Sequence, residues 1–237
     1  MRIVSWNCHD GFNEKAGAFL GLKPDIGIVP ESCENPAIAQ TGLSGPGIPH
    51  RWVPSYARDK GLGIFAPGAQ RIEVVEPGAS VKGDYGLACK IEREGRQIGV
   101  VGVWTVSKQN CYLKEAEGIV ERYAPFLKSG TTILAGDFNI PNHRNVEEVT
   151  SFVHGLEQRF GLVSAYHALH GTAIDHEEDN TLWHNYSESD KFHCDFVFVP
   201  KDWKILKVEV GTYAQWCAPR AEARSDHAPV IVDVVPT

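Results

Sequence analysis

Thr132-Ile133-Leu134-Ala135-Gly136-Asp137-Phe138-Asn139 is an apolar run that ends in an acid and an amide. Its aliphatic and β-branched residues predict a buried strand. Asp137 and Asn139 are two positions apart, so an extended backbone points both the same way and turns Phe138 into the core. The pattern recurs. Val4-Ser5-Trp6 runs into Asn7, and Ile26-Gly27-Ile28-Val29-Pro30 runs into Glu31; Asp195 opens the strand Phe196–Val199, and Ser225-Asp226-His227 opens the last strand. In layered α/β proteins ligands gather beyond strand ends, so side chains remote in sequence can converge on one pocket.

Working outward, short apolar runs bounded by Gly, Pro and Asp fill much of the chain: Arg2–Trp6, Ile26–Pro30, Arg51–Val53, Gly63–Ala66, Ile72–Val75, Leu87–Ile91, Gln97–Trp104, Thr132–Ala135, Asp195–Val199, Ile205–Val210 and Pro229–Val234. Runs this short read as strands, and the succession from Ile72 to Val103 predicts antiparallel hairpins. Helical spacing occurs in Asn13–Leu20, in Asn110–Lys128 despite Pro125, and in Val146–Phe160, where Val149, Phe152, Val153, Leu156 and Phe160 share a stripe. Many strands with few helices between them predict a layered α/β sandwich rather than a regular alternation. No linker and no internal repeat divides the sequence, so residues 1–237 are expected to form a single domain.

The 237 residues carry 23 Lys+Arg against 30 Asp+Glu, a net charge of −7. Such a chain repels nucleic acid on average, so any contact with it must come from a local basic patch or a metal. Hydrophobic residues at 43% and charged residues at 22% exclude disorder as a description of the whole. No apolar run approaches the ~20 residues of a membrane helix, so no membrane partner is expected. The stretch from Met1 to Asn7 lacks the apolar core of an export signal, which predicts a cytoplasmic protein whose six cysteines are free thiols. The segment from His167 to Lys191 gathers His167, His170, His176 and His184 with Asp175, Glu177, Glu178 and Asp179. It is compatible with a zinc site, but its loose spacing favours a solvated surface excursion.

The strand-end residues suggest a chemistry. Carboxylate and amide oxygens are the hard ligands Mg²⁺ prefers, and Mg²⁺ takes one or two carboxylates plus waters and a phosphate. A His with a carboxylate partner completes the set for in-line attack on phosphorus. Singly, each residue has a plainer reading. Asp or Asn after a strand commonly makes a turn or caps a helix, Glu31 could begin a loop, and Asp226-His227 could be a local turn. The combination is what points to a site.

Taken together, Ile3-Val4-Ser5-Trp6-Asn7, Asp25 through Glu31, Gly136-Asp137-Phe138-Asn139, Asp195-Phe196-Val197-Phe198 and Ser225-Asp226-His227-Ala228-Pro229-Val230 resemble the endonuclease/exonuclease/phosphatase superfamily. Its members include apurinic endonucleases, deoxyribonuclease I, sphingomyelinases and inositol polyphosphate 5-phosphatases. The motifs occur in family order from first strand to last, and Asn180-Thr181-Leu182-Trp183 is similar to the family's segment lining the substrate pocket. The resemblance implies a four-layered sandwich of two packed mixed or antiparallel sheets flanked by helices. It implies Mg²⁺, with Mn²⁺ as substitute, held by Glu31 with Asn7 beside it and Asp226 nearby. Asp137 would align or activate the attacking water, Asn139 would bind a phosphate oxygen, and Asp195 would orient His227 beside the phosphate.

One position departs from the family pattern. The strand Val100–Val103 should end in a His or Tyr that contacts the scissile phosphate, but Trp104 stands there. Indole has one N–H donor and no acid–base function. Either Trp104 donates that N–H to phosphate, or Lys108, His193 or Arg224 substitutes, or activity is weak. Arg220 and Arg224 could contact phosphate or merely solvate a loop; Trp183, Tyr186 and Trp216 could stack on bases or cover the core edge. The first expectation is therefore a metal-dependent nuclease acting on DNA or RNA, and a monomer. The second is a small-molecule or lipid phosphodiesterase or phosphatase, and the third a catalytically silent binding protein. Cys8 and Cys194 adjoin Asn7 and Asp195, and strand alternation predicts that both point into the core as small apolar fillers.

Overall fold

The computed structural model describes residues 1–34, 47–56, 59–76, 84–106, 111–141 and 146–237. Lys108 lies outside the described residues. The strands are β1 (Arg2–Ser5), β2 (Ile26–Ser32), β3 (His50–Pro54), β4 (Gly61–Phe65), β5 (Arg71–Val74), β6 (Asp84–Arg93), β7 (Arg96–Thr105), β8 (Thr132–Asp137), β9 (Leu162–Ser164), β10 (Leu182–Trp183), β11 (Lys191–Phe192), β12 (Asp195–Pro200), β13 (Lys204–Val210) and β14 (Val230–Val235). The helices are α1 (Phe12–Gly21), α2 (Tyr112–Arg122), α3 (Ala124–Leu127), α4 (Val146–Phe160), α5 (Ala165–His170) and α6 (Tyr213–Trp216).

Two six-stranded sheets result, in the orders β13-β14-β1-β2-β4-β3 and β5-β6-β7-β8-β12-β9, beside a small β10-β11 hairpin. Each large sheet is mixed, with one parallel pair, β1/β2 or β7/β8, among antiparallel neighbours. Strand alternation divides the apolar residues between layers. Ile3, Ile28, Val100, Ile133, Val197 and Val232 fill the space between the sheets. Val101, Leu134, Phe196 and Phe198 face outward under α2, α3 and α4. On the far side, Val4, Trp6, Val29 and Phe65 pack with Phe12 and Phe19 of α1.

The helix stripe expected over Val146–Phe160 forms α4, with Val149, Leu156 and Phe160 buried. Of the segment expected to be helical from Asn110 to Lys128, Asn110 lies outside the described residues, and α2 and α3 meet at Tyr123, because Pro125 is tolerated only in the first turn of a new helix. The His167–Lys191 segment is more ordered than a solvated excursion. Ile174, Thr181, Leu182 and Trp183 are buried, and His167 bonds Ser164 Oγ at 2.7 Å and Glu177 Oε1 at 2.9 Å. The partly apolar composition of this segment covers its own polar groups. Among the described residues, no helix is long and apolar enough to cross a membrane.

Topology explains why the strand ends meet. β1 and β2 run parallel, so Asn7 and Glu31 emerge at one edge; β14 is antiparallel to β1, so His227 precedes it at that same edge. In the other sheet Asp137 ends β8 and is paired in register with Asp195, which starts antiparallel β12. Gly136 makes this junction possible. Its φ is +148°, and a Cβ there would fall 1.9 Å from the carbonyl oxygen of Val103 on β7. Gly136→Ala is accordingly expected to cost about 3 kcal/mol or more. A chemical denaturation midpoint equal to that of the wild type would contradict this packing.

Candidate active site

His227 is held from three directions. Its backbone N–H donates to Ser225 Oγ at 3.0 Å, its carbonyl accepts the Trp6 indole N–H at 3.1 Å, and its ring Nδ1 lies 2.9 Å from Asp195 Oδ2. Ser225 Oγ in turn donates to the Asn7 carbonyl at 2.7 Å, tying the segment before β14 to the end of β1. The opposite ring nitrogen, Nε2, is 3.9 Å from Asp137 Oδ2. The imidazole therefore lies between two wholly buried carboxylates.

Asp137 is the hub of the amide contacts. Its Oδ1 accepts the Asn139 backbone N–H at 2.8 Å, and Oδ2 accepts the side-chain amides of Asn139 at 2.7 Å and Asn7 at 2.9 Å. Asn139 also donates to the Thr105 carbonyl at 2.9 Å. The Asn7 amide reaches Glu31 Oε1 at 3.2 Å. Glu31 (φ 62°) and Asn139 (φ 51°) both sit in the left-handed region, a strain that persists where surrounding structure fixes it. At Glu31 the β2/β4 register shifts between Pro30 and Ser32; an irregularity of this kind re-aims a side chain out of its ladder.

The electrostatics follow from burial and the two carboxylates. Desolvation disfavours the ionised form of Asp137 and, with Asp195 adding to it against the opposing His227 charge, pushes its pKa up to about 7. Burial alone would lower His227, but Asp195 and Asp137 outweigh it and raise the pKa from 6.5 to about 10. The imidazolium thus stabilises the folded state fully below pH 6.5, and that contribution is lost as pH rises through about 10. The stability difference between wild type and His227→Gln should accordingly shrink across this window in metal-free protein, as read from thermal unfolding. A difference that grows with pH would reverse the assignment.

The neighbouring groups were not legible as site residues. Lys60, at the start of β4, bonds Glu31 Oε2 at 2.7 Å and lies 3.8 Å from Asp10 Oδ2. Burial opposes its charge, but the Glu31 carboxylate prevails and raises its pKa. His9 Nδ1 lies 3.1 Å from Asp226 Oδ1. Burial works to raise the Asp226 pKa, and His9 and His227 overcome it to lower the value. Thr181 Oγ1 accepts the backbone N–H groups of Cys194 and Asp195, each at 3.0 Å, and so fixes the start of β12. Only Ser225 and Thr181 lay inside quoted motifs; His9 and Lys60 carry no pattern that spacing would reveal.

The side chains of most remaining sequence candidates make their contacts outside this network; Tyr186 is the exception, its ring edge-on to that of His9 at 5.9 Å. Trp104 is buried between the sheets with its ring 5.2 Å from that of Tyr85, although its backbone is in register with Asp137. Trp183 is buried against Tyr213, and its backbone N–H donates to the Asp226 carbonyl. His193 packs on Tyr166 and Phe196, with Nδ1 3.0 Å from the Asp179 carbonyl. The Arg224 guanidinium lies over Trp216 and donates to the Gln215 carbonyl, while Arg220 lies over Tyr186. Trp216 is itself buried, edge-on to Trp6.

Cys8 is buried among Trp6, Phe12 and Val29, as expected of a small filler. Cys194 is not one. It precedes β12, where strand alternation does not apply, and its Sγ lies 3.6 Å from Asp195 Oδ2. Burial and the carboxylates of Asp195 and Asp137 hold its thiol well above the ordinary range, so it is a neutral weak donor. Cys8→Ala should cost about 1 kcal/mol of stability without changing turnover. Cys194→Ala should cost a similar amount and also reduce turnover by less than tenfold, with Cys194→Ser restoring it. Denaturation curves and steady-state rates on the same samples separate the two residues.

A scan against protein-family models finds no match, and a search of curated proteins finds none. Solved structures do match over the whole chain. An endonuclease/exonuclease/phosphatase family protein from Leptotrichia buccalis aligns over 100% of both chains at 16% identity with a TM-score of 0.63. The chain has the endonuclease/exonuclease/phosphatase fold. The 3′ phosphatase NExo from Neisseria, bound to a product DNA hairpin, aligns over 100% of both chains at 17% identity and a TM-score of 0.66. TDP2 from D. rerio, complexed with a single-stranded DNA product, aligns over 100% of this chain and 99% of its own at 14% identity and a TM-score of 0.70.

Proposed function

We propose that this protein is a divalent-metal-dependent hydrolase of phosphodiester bonds. The observation that carries the reading is the His227 imidazole between two buried carboxylates, 2.9 Å from Asp195 and 3.9 Å from Asp137. In this reading Asp195 fixes the ring, leaving Nε2 of the imidazolium to donate to a phosphoryl oxygen as negative charge builds there. Asp137, with its pKa lifted to about 7, takes the proton of the attacking water. Asn7 and Asn139 hold Asp137 in place; both N–H bonds of the Asn139 amide are taken, by Asp137 Oδ2 and the Thr105 carbonyl, so Asn139 meets a phosphate oxygen only by giving one of them up.

Glu31 and Asp226 carboxylates with the Asn7 amide form a hard-oxygen set suited to Mg²⁺ or Mn²⁺. Glu31 fits such a role: its carboxylate leaves the strand ladder at a backbone irregularity and is met there by the Lys60 ammonium, so it already balances a positive charge. One ligand-capable atom each of Asp137, Cys194, Asp195 and His227 also lies within 4.8 Å of the others. There His227 Nδ1 is committed to Asp195 Oδ2 and the buried thiol is neutral, so we assign the ion to Glu31, Asn7 and Asp226. When bound, it supplies Lewis-acid charge at the phosphate.

Nucleic acid is the first substrate class, supported by the DNA products bound in the NExo and TDP2 structures. A small non-nucleotide phosphodiester is the second, favoured by the net charge of −7. Purified protein with Mg²⁺ or Mn²⁺, assayed on plasmid, single-stranded DNA, RNA, abasic duplex and a small phosphodiester, distinguishes them, with Asp137→Asn as the blank. Cleavage that survives in Asp137→Asn, or none of any substrate, would overturn the proposal.

A further inference from the structure

The turn that follows Asn7 is braced by a helix. His9, Asp10 and Gly11 have left-handed φ values of 48°, 70° and 60° in succession. Glycine adopts such values freely, whereas His9 and Asp10 are strained. The carbonyls of Cys8, His9 and Asp10 converge on one point, and the Lys15 ammonium stands there, donating to them at 2.7, 3.4 and 2.8 Å. An ammonium has three donors and no acceptor, so three carbonyls match it. Lys15 is half-buried on α1, whose Phe12, Ala16 and Phe19 lie in the core, so the cation is carried by a fixed element. The same turn reaches two of the residues assigned to the ion. The His9 backbone N–H donates to Asn7 Oδ1 at 2.9 Å, and the His9 ring Nδ1 is 3.1 Å from Asp226 Oδ1.

We propose that Lys15 is a positioning residue for the metal site: its ammonium fixes the turn from Cys8 to Gly11, and the turn fixes Asn7 and Asp226. The proposal rests on the hydrolase reading above and on the ion assigned to Glu31, Asn7 and Asp226. Without a cation at their centre the converging carbonyls lose their shared partner, and the strained φ values lose what holds them. The turn then relaxes, taking the His9 N–H from Asn7 Oδ1 and the His9 ring from Asp226. The bond from His9 occupies one lone pair of Asn7 Oδ1 and leaves the second for an ion, while Asn7 Nδ2 is held by Glu31 and Asp137. An amide released on its oxygen side is free to turn, which removes a ligand and a support of Asp137 together. Glu31 keeps its own partner in Lys60, so the effect falls on the other two ligands.

Chemical rescue tests this. Lys15→Ala deletes the three carbons and the nitrogen that propylammonium carries. Calorimetric titration of the variant with Mn²⁺ should give an affinity at least fivefold weaker than wild type. On the best substrate of the panel, kcat at saturating Mn²⁺ should fall at least tenfold while KM stays within threefold. Propylammonium should return affinity and kcat to within threefold of wild type; tetramethylammonium, a cation without N–H donors, should return neither at the same concentration. Smaller losses, or losses that propylammonium does not reverse, overturn the proposal and leave Lys15 a stabiliser of the fold only. If Lys15→Ala does not fold, Lys15→Met and Lys15→Arg decide: methionine keeps the stem without the charge and should show the losses, and arginine, which keeps the charge, should not. Equal behaviour of those two variants overturns the proposal. If the wild type cleaves no substrate, the hydrolase reading fails and the Mn²⁺ titrations with the two salts decide Lys15 alone. If the wild type binds no Mn²⁺, the ion assignment fails and the positioning role with it.

Discussion

Replacing His227 with Ala should lower turnover about 10³-fold or more at saturating metal, and Asp195→Asn about 10²-fold. The difference follows from what each change removes. His227→Ala deletes both the donor aimed at the phosphate and the positive charge between Asp195 and Asp137. Asp195→Asn keeps a hydrogen-bond acceptor for Nδ1 but removes a charge that raises the ring pKa toward 10, so its pH profile should also shift its basic limb to lower pH. Trp104, buried against Tyr85, itself offers no acid–base group at the end of β7, which widens the gap between the two variants. Turnover and pH profiles on the best substrate of the panel provide the check. Wild-type turnover in a folded His227→Ala variant would make the pair structural and remove His227 from the chemistry.

Glu31→Gln carries the second large expectation: affinity for Mg²⁺ or Mn²⁺ weaker by at least tenfold and turnover lower by about 10²-fold. The amide retains the shape and can still meet the Asn7 amide through its oxygen, but it no longer balances the Lys60 ammonium 2.7 Å away. The fold should survive, since the side chain sits at the open strand ends. Calorimetric titration with Mn²⁺ reads the affinity independently of activity. Full activity in excess chelator, or unchanged Mn²⁺ binding, would remove Glu31 from the metal site.

The strand-end acids were legible because β-periodicity and burial act locally. An apolar run terminated by Asp137 or Glu31 advertises both a strand and its last residue, and the parallel β1/β2 and antiparallel β8/β12 pairings then bring those ends to one edge. The two-sheet layering and the helix Val146–Phe160 follow from the same patterns. What sequence could not supply is the lateral packing of loops. Lys60 meets Glu31 only because β4 pairs with β2, and His9 reaches Asp226 only because β14 lies beside β1. The thiol of Cys194 could not be placed by alternation, since its residue stands one position before the strand that alternates. The zinc-or-solvent question over His167–Lys191 had a third answer, a self-satisfied cover built on His167, Glu177 and Tyr166.

The position of β14 between β13 and β1 gives synthesis a direction that matters. A nascent chain acquires Asn7, Glu31 and Asp137 well before His227, and β1 must wait for β14 to cover its free edge. His227 leaves the ribosome roughly 90 residues after Asp137, so a stalled or prematurely ended product has acids without their imidazolium and a sheet open at its middle. Such fragments are expected to be inert and prone to pairing with one another through the exposed edge of β1. The arrangement thereby makes assembly of the site wait for β14: on the hydrolase reading, a chain that stops short of His227 is expected to lack activity.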